Sequence, residues 1–219
     1  MSASSESGRL KVAVLLSGRG SNLAALIGAA ARDLPIEIVG VFADRADAQG
    51  LQRAMQAGIY ARSFSPKDYA DKATFEAALF AAVAISGAEL VILAGFMRVL
   101  SAATVEAWRG RLINIHPSLL PNYPGLHTHQ RALDAGDAQH GASVHFVTAV
   151  LDSGPVLMQV QVAIQSDDSA ESLSAHLLPE EHRLMVASVR LFADRRVRLL
   201  DNEIELDGQI LREPLILGP

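Results

Sequence analysis

The chain reads as an α/β protein: a mostly parallel twisted sheet with helices on both faces, and an antiparallel strand pair in its C-terminal half. Three observations predict this. Apolar runs of strand length alternate with helix-patterned segments through residues 11–116, the pattern of βαβ units on a parallel sheet. A glycine-rich turn, Ser17-Gly18-Arg19-Gly20-Ser21-Asn22, joins the first apolar run to the first helical segment. Residues 149–155 alone separate two later strand-like runs, too short a link for the crossover that parallel strands need.

Each element follows from local pattern. Residues 11–16, Lys-Val-Ala-Val-Leu-Leu, form a short apolar run bounded by turn residues, as a buried parallel strand does. The turn leads into a helix from Leu23. Residues 36–42 predict a second strand, and residues 46–57 a helix stopped by Gly58. The alanine-rich stretch 68–85 predicts a helix ended by Ser86-Gly87. A strand at 90–94, a short helix at 101–108 and a strand at 111–116 follow, the last stopped by Pro117. Residues 142–148 and 156–164 are the antiparallel pair. Residues 168–195 are helical, and Pro179 is expected to kink or divide them, because proline clashes with the preceding turn. Residues 117–129 are the longest irregular stretch, and long loops in compact domains are often functional. The fold expected is therefore Rossmann-like.

Composition narrows the function. At 219 residues the chain is one large domain or two small ones, at about 100–200 residues each. The organisation expected is a flexible leader over residues 1–9 and a single domain over 10–219. A net charge of −5 argues against nucleic-acid and membrane-surface partners. The absence of cysteine removes disulfides, thiolate metal sites and cysteine nucleophiles. Residues 1–8 lack the apolar stretch of a secretory signal, and residues 90–96 fall well short of the ~20 apolar residues of a membrane span. A cytoplasmic location is expected.

Three constellations can carry chemistry. The turn through Gly20, Ser21 and Asn22 lets the backbone approach a ligand and opens a helix whose N-terminus favours a phosphate; Ser21 and Asn22 could equally be helix caps. It matches neither the dinucleotide nor the P-loop pattern. Asn114 and His116 stand two apart on a strand and share a face, at the carboxyl edge where open α/β sheets bind ligands. A carboxamide can donate to a developing oxyanion and an imidazole can carry a proton near neutrality; both could also satisfy buried backbone groups. Asp152, in Asp152-Ser153-Gly154-Pro155, is by default a turn residue. Beside His116 it would orient and charge-balance the ring. Such a trio has no nucleophile to acylate, so it suggests direct transfer between two bound substrates. His116, His127 and His129 invite a zinc reading, but no carboxylate or thiolate accompanies them at a familiar ligand spacing, so no metal is expected. His145, flanked by Val144 and Phe146, reads as a packed sheet histidine, and Arg190, Arg195, Arg196 and Arg198 as a solvated face.

Residues 114–129, Asn-Ile-His-Pro-Ser-Leu-Leu-Pro-Asn-Tyr-Pro-Gly-Leu-His-Thr-His, closely resemble the signature of the phosphoribosylglycinamide formyltransferase family. Residues 17–22, 93–98, 141–146 and 151–155 agree with the same family, in its order. The resemblance runs from about Lys11 to the C-terminal region. It implies transfer of a formyl group from the co-substrate 10-formyltetrahydrofolate to the amine of glycinamide ribonucleotide in de novo purine synthesis, directly, through a tetrahedral intermediate. It implies roles as well. Gly20, Ser21 and Asn22 match the loop holding the ribonucleotide phosphate, and Glu181 a glutamate contacting that substrate. Met97, Arg98, Val99 and Leu100 match the lining of the folate pocket, with Asn114 beside it and Lys67 as the basic residue meeting the folate. Asn114, His116 and Asp152 match the catalytic trio. The N-terminal half would bind the nucleotide phosphate and the C-terminal half complete the folate site, in a monomer or homodimer. Arg19 departs from the family, where asparagine is common.

Three rivals follow from the same residues. A formyltetrahydrofolate deformylase would use a similar trio with water as acceptor. A methionyl-tRNA formyltransferase shares Ser-Leu-Leu-Pro but carries a further RNA-binding domain. A non-enzymatic nucleotide-binding module would explain the glycine turn, and would leave Asn114, His116 and Asp152 without a reason to be together.

Overall fold

The computed structural model describes residues 8–218; most of the expected leader, residues 1–7, lies outside them. The strands are β1 Leu10–Leu16, β2 Ile36–Ala43, β3 Ala61–Ser63, β4 Leu90–Leu93, β5 Leu112–His116, β6 Gln139–Phe146, β7 Val156–Ala163, β8 Val197–Leu200, β9 Glu203–Leu206, β10 Gln209–Ile210 and β11 Leu215–Ile216. The helices are α1 Ser21–Ala30, α2 Gln49–Gln56, α3 Lys72–Ile85, α4 Ala102–Ala107, α5 Thr128–Ala135 and α6 Ala170–Ala193.

Eight strands form one sheet in the order β11-β7-β6-β5-β4-β1-β2-β3, and β10-β9-β8 form a second, small antiparallel sheet. Strands β3, β2, β1, β4 and β5 run parallel to one another, whereas β6 is antiparallel to both β5 and β7. The expected mixed sheet is thus observed, and β5 is the strand at which direction changes.

Strand periodicity builds two cores. Side chains alternate across a sheet, so Val12, Val14 and Leu16 join one cluster while Ala13 and Leu15 join the other. The first cluster packs against Leu23 and Leu26 of α1, Leu51 of α2, and Leu177, Leu184, Met185 and Val189 of α6. The second packs against Phe75, Leu79 and Val83 of α3, with Val105 of α4 and Trp108. Each fully buried Leu or Val contributes about 1.5–3 kcal/mol relative to an exposed one.

The structure departs from sequence expectation in three places. Helix α6 is not divided: it runs unbroken through Pro179. Proline costs the carbonyl four residues earlier its donor, but Ala175 and Pro179 both face solvent, so that carbonyl is open to water. Leu173 and Leu177 before the proline and Leu184 and Met185 after it are all fully buried, so packing holds the helix on both sides of the proline. The helix expected over 68–85 begins only at Lys72, behind a 3-10 turn at Pro66–Asp68, and Asp71 caps it in a reciprocal box with Thr74. The supposed loop 117–129 ends in α5, which begins at Thr128.

Candidate active site

The glycine turn is shaped by one close approach. Gly20 has φ 70° and is the N-cap of α1, with no side chain capping the helix. A Cβ there would lie 2.7 Å from the Cα of Gly50, so both the left-handed backbone and the packing demand glycine. The first-turn N–H groups of α1 therefore have no side-chain cap, the condition in which a helix N-terminus can take an anion. Asn22 is buried, its Nδ2 donates to Glu181 Oε2 at 3.4 Å, and its Oδ1 has no partner among the described residues. Burial pushes the Glu181 carboxyl up to about 7, against smaller opposing effects of Asn22 and Arg19. The glycine turn and Glu181, distant in sequence, thus meet at one place.

Strand β5 positions the chemistry. Asn114 and His116 share a face, and the antiparallel register sets Asn114 opposite His145 and His116 opposite Ser143. His116 is buried. Its Nε2 lies 2.9 Å from the Tyr123 carbonyl, and its Nδ1 lies 3.5 Å from Asp152 Oδ2. Both ring nitrogens face acceptors, an arrangement that the doubly protonated ring satisfies. Asp152 takes φ 49°, a conformation costing a non-glycine residue roughly 1–3 kcal/mol that surrounding structure must impose. Its Oδ2 accepts the Gly125 N–H at 2.8 Å, which ties the turn to the loop after β5. Asn114, His116 and Asp152 are therefore brought together.

His145, a buried sheet histidine as its pattern predicts, also lies beside them. Its Nδ1 donates to the Phe146 carbonyl at 2.9 Å. Burial holds the ring below its ordinary range, so Nε2 is left as an acceptor, 3.1 Å from Asn114 Nδ2. One amide hydrogen of Asn114 is used there and the other remains to donate. The same Nε2 lies 3.8 Å from Asp152 Oδ1. The signal that would have found His145 is its register opposite Asn114, since opposed residues share a face.

The loop after β5 is pinned from several sides. Ser143 Oγ accepts Leu120 N–H and donates to the Ser118 carbonyl, and Gln159 Nε2 donates to both Ser143 Oγ and the Leu120 carbonyl. Tyr123 Oη donates to Asp137 at 2.6 Å. His129 and His140 face each other, Nδ1 to Nε2, at 3.0 Å. Desolvation pushes the buried His140 down to about 4. His129 is thus placed against His140.

The expected ligand residues are distributed differently. Met97 and Val99 expose apolar side chains, whereas Leu100 turns into the second core. Arg98 is engaged by Asp44, Nε to Oδ2 at 2.7 Å. Lys67 stands exposed on the 3-10 turn after β3. Strand β3, from which that turn leads, lies four strand spacings from β5, roughly 19 Å, and Lys67 is not gathered into the trio. Arg190, Arg195, Arg196 and Arg198 face solvent as ion pairs with Asp33, Glu89, Asp207 and Glu205.

Known proteins resemble this chain in sequence and fold. The formyl transferase family model matches residues 10–189. A phosphoribosylglycinamide formyltransferase from Escherichia coli is 43% identical over 203 residues, covering 92% of this chain and 96% of that protein. The structure of a phosphoribosylglycinamide formyltransferase from Coxiella burnetii superposes with a TM-score of 0.93 at 42% identity, over 96% of this chain and 100% of the other. A formyltetrahydrofolate deformylase from Burkholderia mallei also superposes, with a TM-score of 0.82 at 34% identity, over 91% of this chain but 70% of the other. The chain belongs to the formyl transferase family and, within it, to the phosphoribosylglycinamide formyltransferases.

Proposed function

We propose that Asn114, His116 and Asp152 carry the transfer of a formyl group from 10-formyltetrahydrofolate to the amine of glycinamide ribonucleotide. The observation that supports it most directly is the trio itself: an amide and an imidazole on one face of β5 meet a carboxylate from the turn between β6 and β7, and the sequence has no cysteine to be acylated. The amine nitrogen attacks the formyl carbon, forming the new C–N bond and a tetrahedral oxyanion. Asn114 donates to that oxyanion the amide hydrogen that His145 does not use. His116, held between the Tyr123 carbonyl and Asp152, sets positive charge beside it. Asp152 takes up the amine proton, directly or through a water it holds, and the proton passes to the folate nitrogen as its bond to the formyl carbon breaks. The His116–Asp152 separation of 3.5 Å is longer than a hydrogen bond and closes as substrates bind.

In this reading Gly20, Ser21 and Asn22 hold the ribonucleotide phosphate at the start of α1, with Glu181 on the same substrate. Residues 97–100 and Asn114 border the folate, and Lys67 meets its far end. The N-terminal half serves the nucleotide and the C-terminal half completes the folate site in one domain. We place the reaction in the cytoplasm, as a monomer or homodimer. No helix among the described residues is long and apolar enough to cross a membrane, and the cysteine-free sequence suits a reducing compartment.

The likeness to a deformylase makes water the one rival acceptor to test. Folate absorbance is followed during turnover with and without glycinamide ribonucleotide, for the parent and Asp152→Asn. Turnover should depend strictly on the ribonucleotide and fall by about 10²–10⁴ in the variant. Equal folate turnover without the ribonucleotide would replace the transferase with a hydrolase.

A further inference from the structure

Two loops that would bind different substrates are tied by a side chain that neither role uses. Ser17 follows β1 and begins the glycine turn, and it is buried. Its backbone N–H donates to the Gly95 carbonyl at 2.9 Å, and its Oγ accepts the Met97 N–H at 2.8 Å. The Oγ acts only as an acceptor in that contact. A serine hydroxyl also carries one hydrogen to donate, and no acceptor for it is recorded among the described residues. Ser17 lines a cleft of about 160 Å³ together with Gly18, Arg19, Arg45 and Gln49, and with Asp47, whose carboxylate is paired to Arg45 at 2.7 Å. The hydroxyl therefore stands between the cleft at the glycine turn and the backbone of the segment that exposes Met97 and Val99.

A second tie runs the same way. Asp44 follows β2, is almost fully buried, and holds Arg98 at 2.7 Å through Oδ2, while its Oδ1 has no partner among the described residues. The turn after Asp44 closes on the glycine turn through Gly50 N–H to the Gly18 carbonyl at 3.1 Å. Residues 95–98 are thus pinned at three points, all by groups from the β1–α1 and β2–α2 turns.

We infer that Ser17 is a positioning residue that couples the two substrate sites. An anion on the glycine turn takes the free hydrogen of Ser17 and fixes its rotamer, and the fixed hydroxyl holds the Met97 backbone in the place where the folate docks. Each ligand then orders a segment the other needs, so each binds more tightly in the presence of the other, by the same factor. This rests on the assignment of the two ligands above.

Calorimetric titration with tetrahydrofolate, which has no formyl group to give, measures the coupling without turnover. In the parent, saturating glycinamide ribonucleotide should tighten tetrahydrofolate binding by about fivefold or more, with the reciprocal titration giving the same factor. In Ser17→Ala the factor should fall to about one. It is a ratio of affinities, so it does not depend on the fraction of active protein. Amide hydrogen exchange in the parent supplies a readout free of mutation: the ribonucleotide alone should slow exchange at Met97. A parent factor of one, an unchanged factor in Ser17→Ala, or unchanged Met97 exchange would each overturn the coupling while leaving the ligand assignment intact. Failure of either ligand to bind the parent would overturn both.

Discussion

The two sides of the site are built differently. In the proposed mechanism Asn114 and His116 rest with His145 on the β5–β6 ladder, buried or half-buried, their directions set by register, and Asp152 reaches them from the turn between β6 and β7. The proposed nucleotide and folate sides rest on turns and one helix: the glycine turn, residues 97–100, Glu181 on α6 and Lys67 on a 3-10 turn. A ladder fixes side chains to within small angles, and proton transfer and oxyanion stabilisation need that precision. Loops give reach and adjustability, which large ligands need. Damage to the first side should therefore appear in kcat, and damage to the second in binding or in pH dependence.

The sharpest test of that division is His145, which touches no substrate in the proposed mechanism yet sits on the ladder. In His145→Phe, Asn114 loses the acceptor that sets its amide. The expected loss is on the order of 10² in kcat, toward the lower end for removing an oxyanion donor, with the KM values for both substrates nearly unchanged. An unchanged kcat would show that β5 alone orients Asn114, and would return His145 to a packing role.

The legibility of the molecule divides along the same line. Asn114 and His116 were readable because strand period two places them together from sequence alone. The Asp152 turn was readable because residues 149–155 cannot span a crossover. His145 was not, because its relation to Asn114 is a cross-strand register that no local pattern specifies. Strand β3 has three residues, shorter than any window in which alternation can be seen. Helix α5 starts from His127 at φ 59° without a side-chain cap, so the usual start signal is missing. Pro179 misled for the opposite reason: the local rule is sound, and the buried leucines on either side of it outweigh the one carbonyl it leaves to water.

Glu181 tests the helix-borne side through pH. Its carboxyl is raised from 4.5 to about 7 by burial. The folded state therefore holds a proton that the unfolded chain has released, and stability falls as pH rises from about 4.5 to about 7. His140 has the opposite sign: it is lowered from 6.5 to about 4, the unfolded chain binds the proton first, and stability is lost as pH falls through that window. The two slopes oppose each other in the parent. Glu181→Gln removes one of them, so its stability should gain about 1–3 kcal/mol on the parent between pH 5 and pH 8. A parallel pair of stability curves would mean that Glu181 titrates normally in the folded protein.

Lys67 should give the smallest effect, and it defines how far the loop-borne side extends. It is exposed, on the turn after β3, a strand roughly 19 Å across the sheet from β5, a span that only the far end of an elongated folate would cover. An ammonium in water contributes about 0.2–1 kcal/mol to an ion pair, less as salt rises. Lys67→Ala should therefore raise the folate KM by at most about fivefold, leave kcat and the ribonucleotide KM alone, and lose even this effect at high ionic strength. An unchanged folate KM would move attention to Lys72 at the start of α3, whose ammonium lies 3.6 Å from the buried Glu76. Glu76 also accepts the Ser101 N–H at 3.0 Å, so Lys72 is linked through one carboxylate to the end of the segment that exposes Met97 and Val99. A folate contact there would be better anchored than one from Lys67, and it would draw the loop-borne side back toward the sheet.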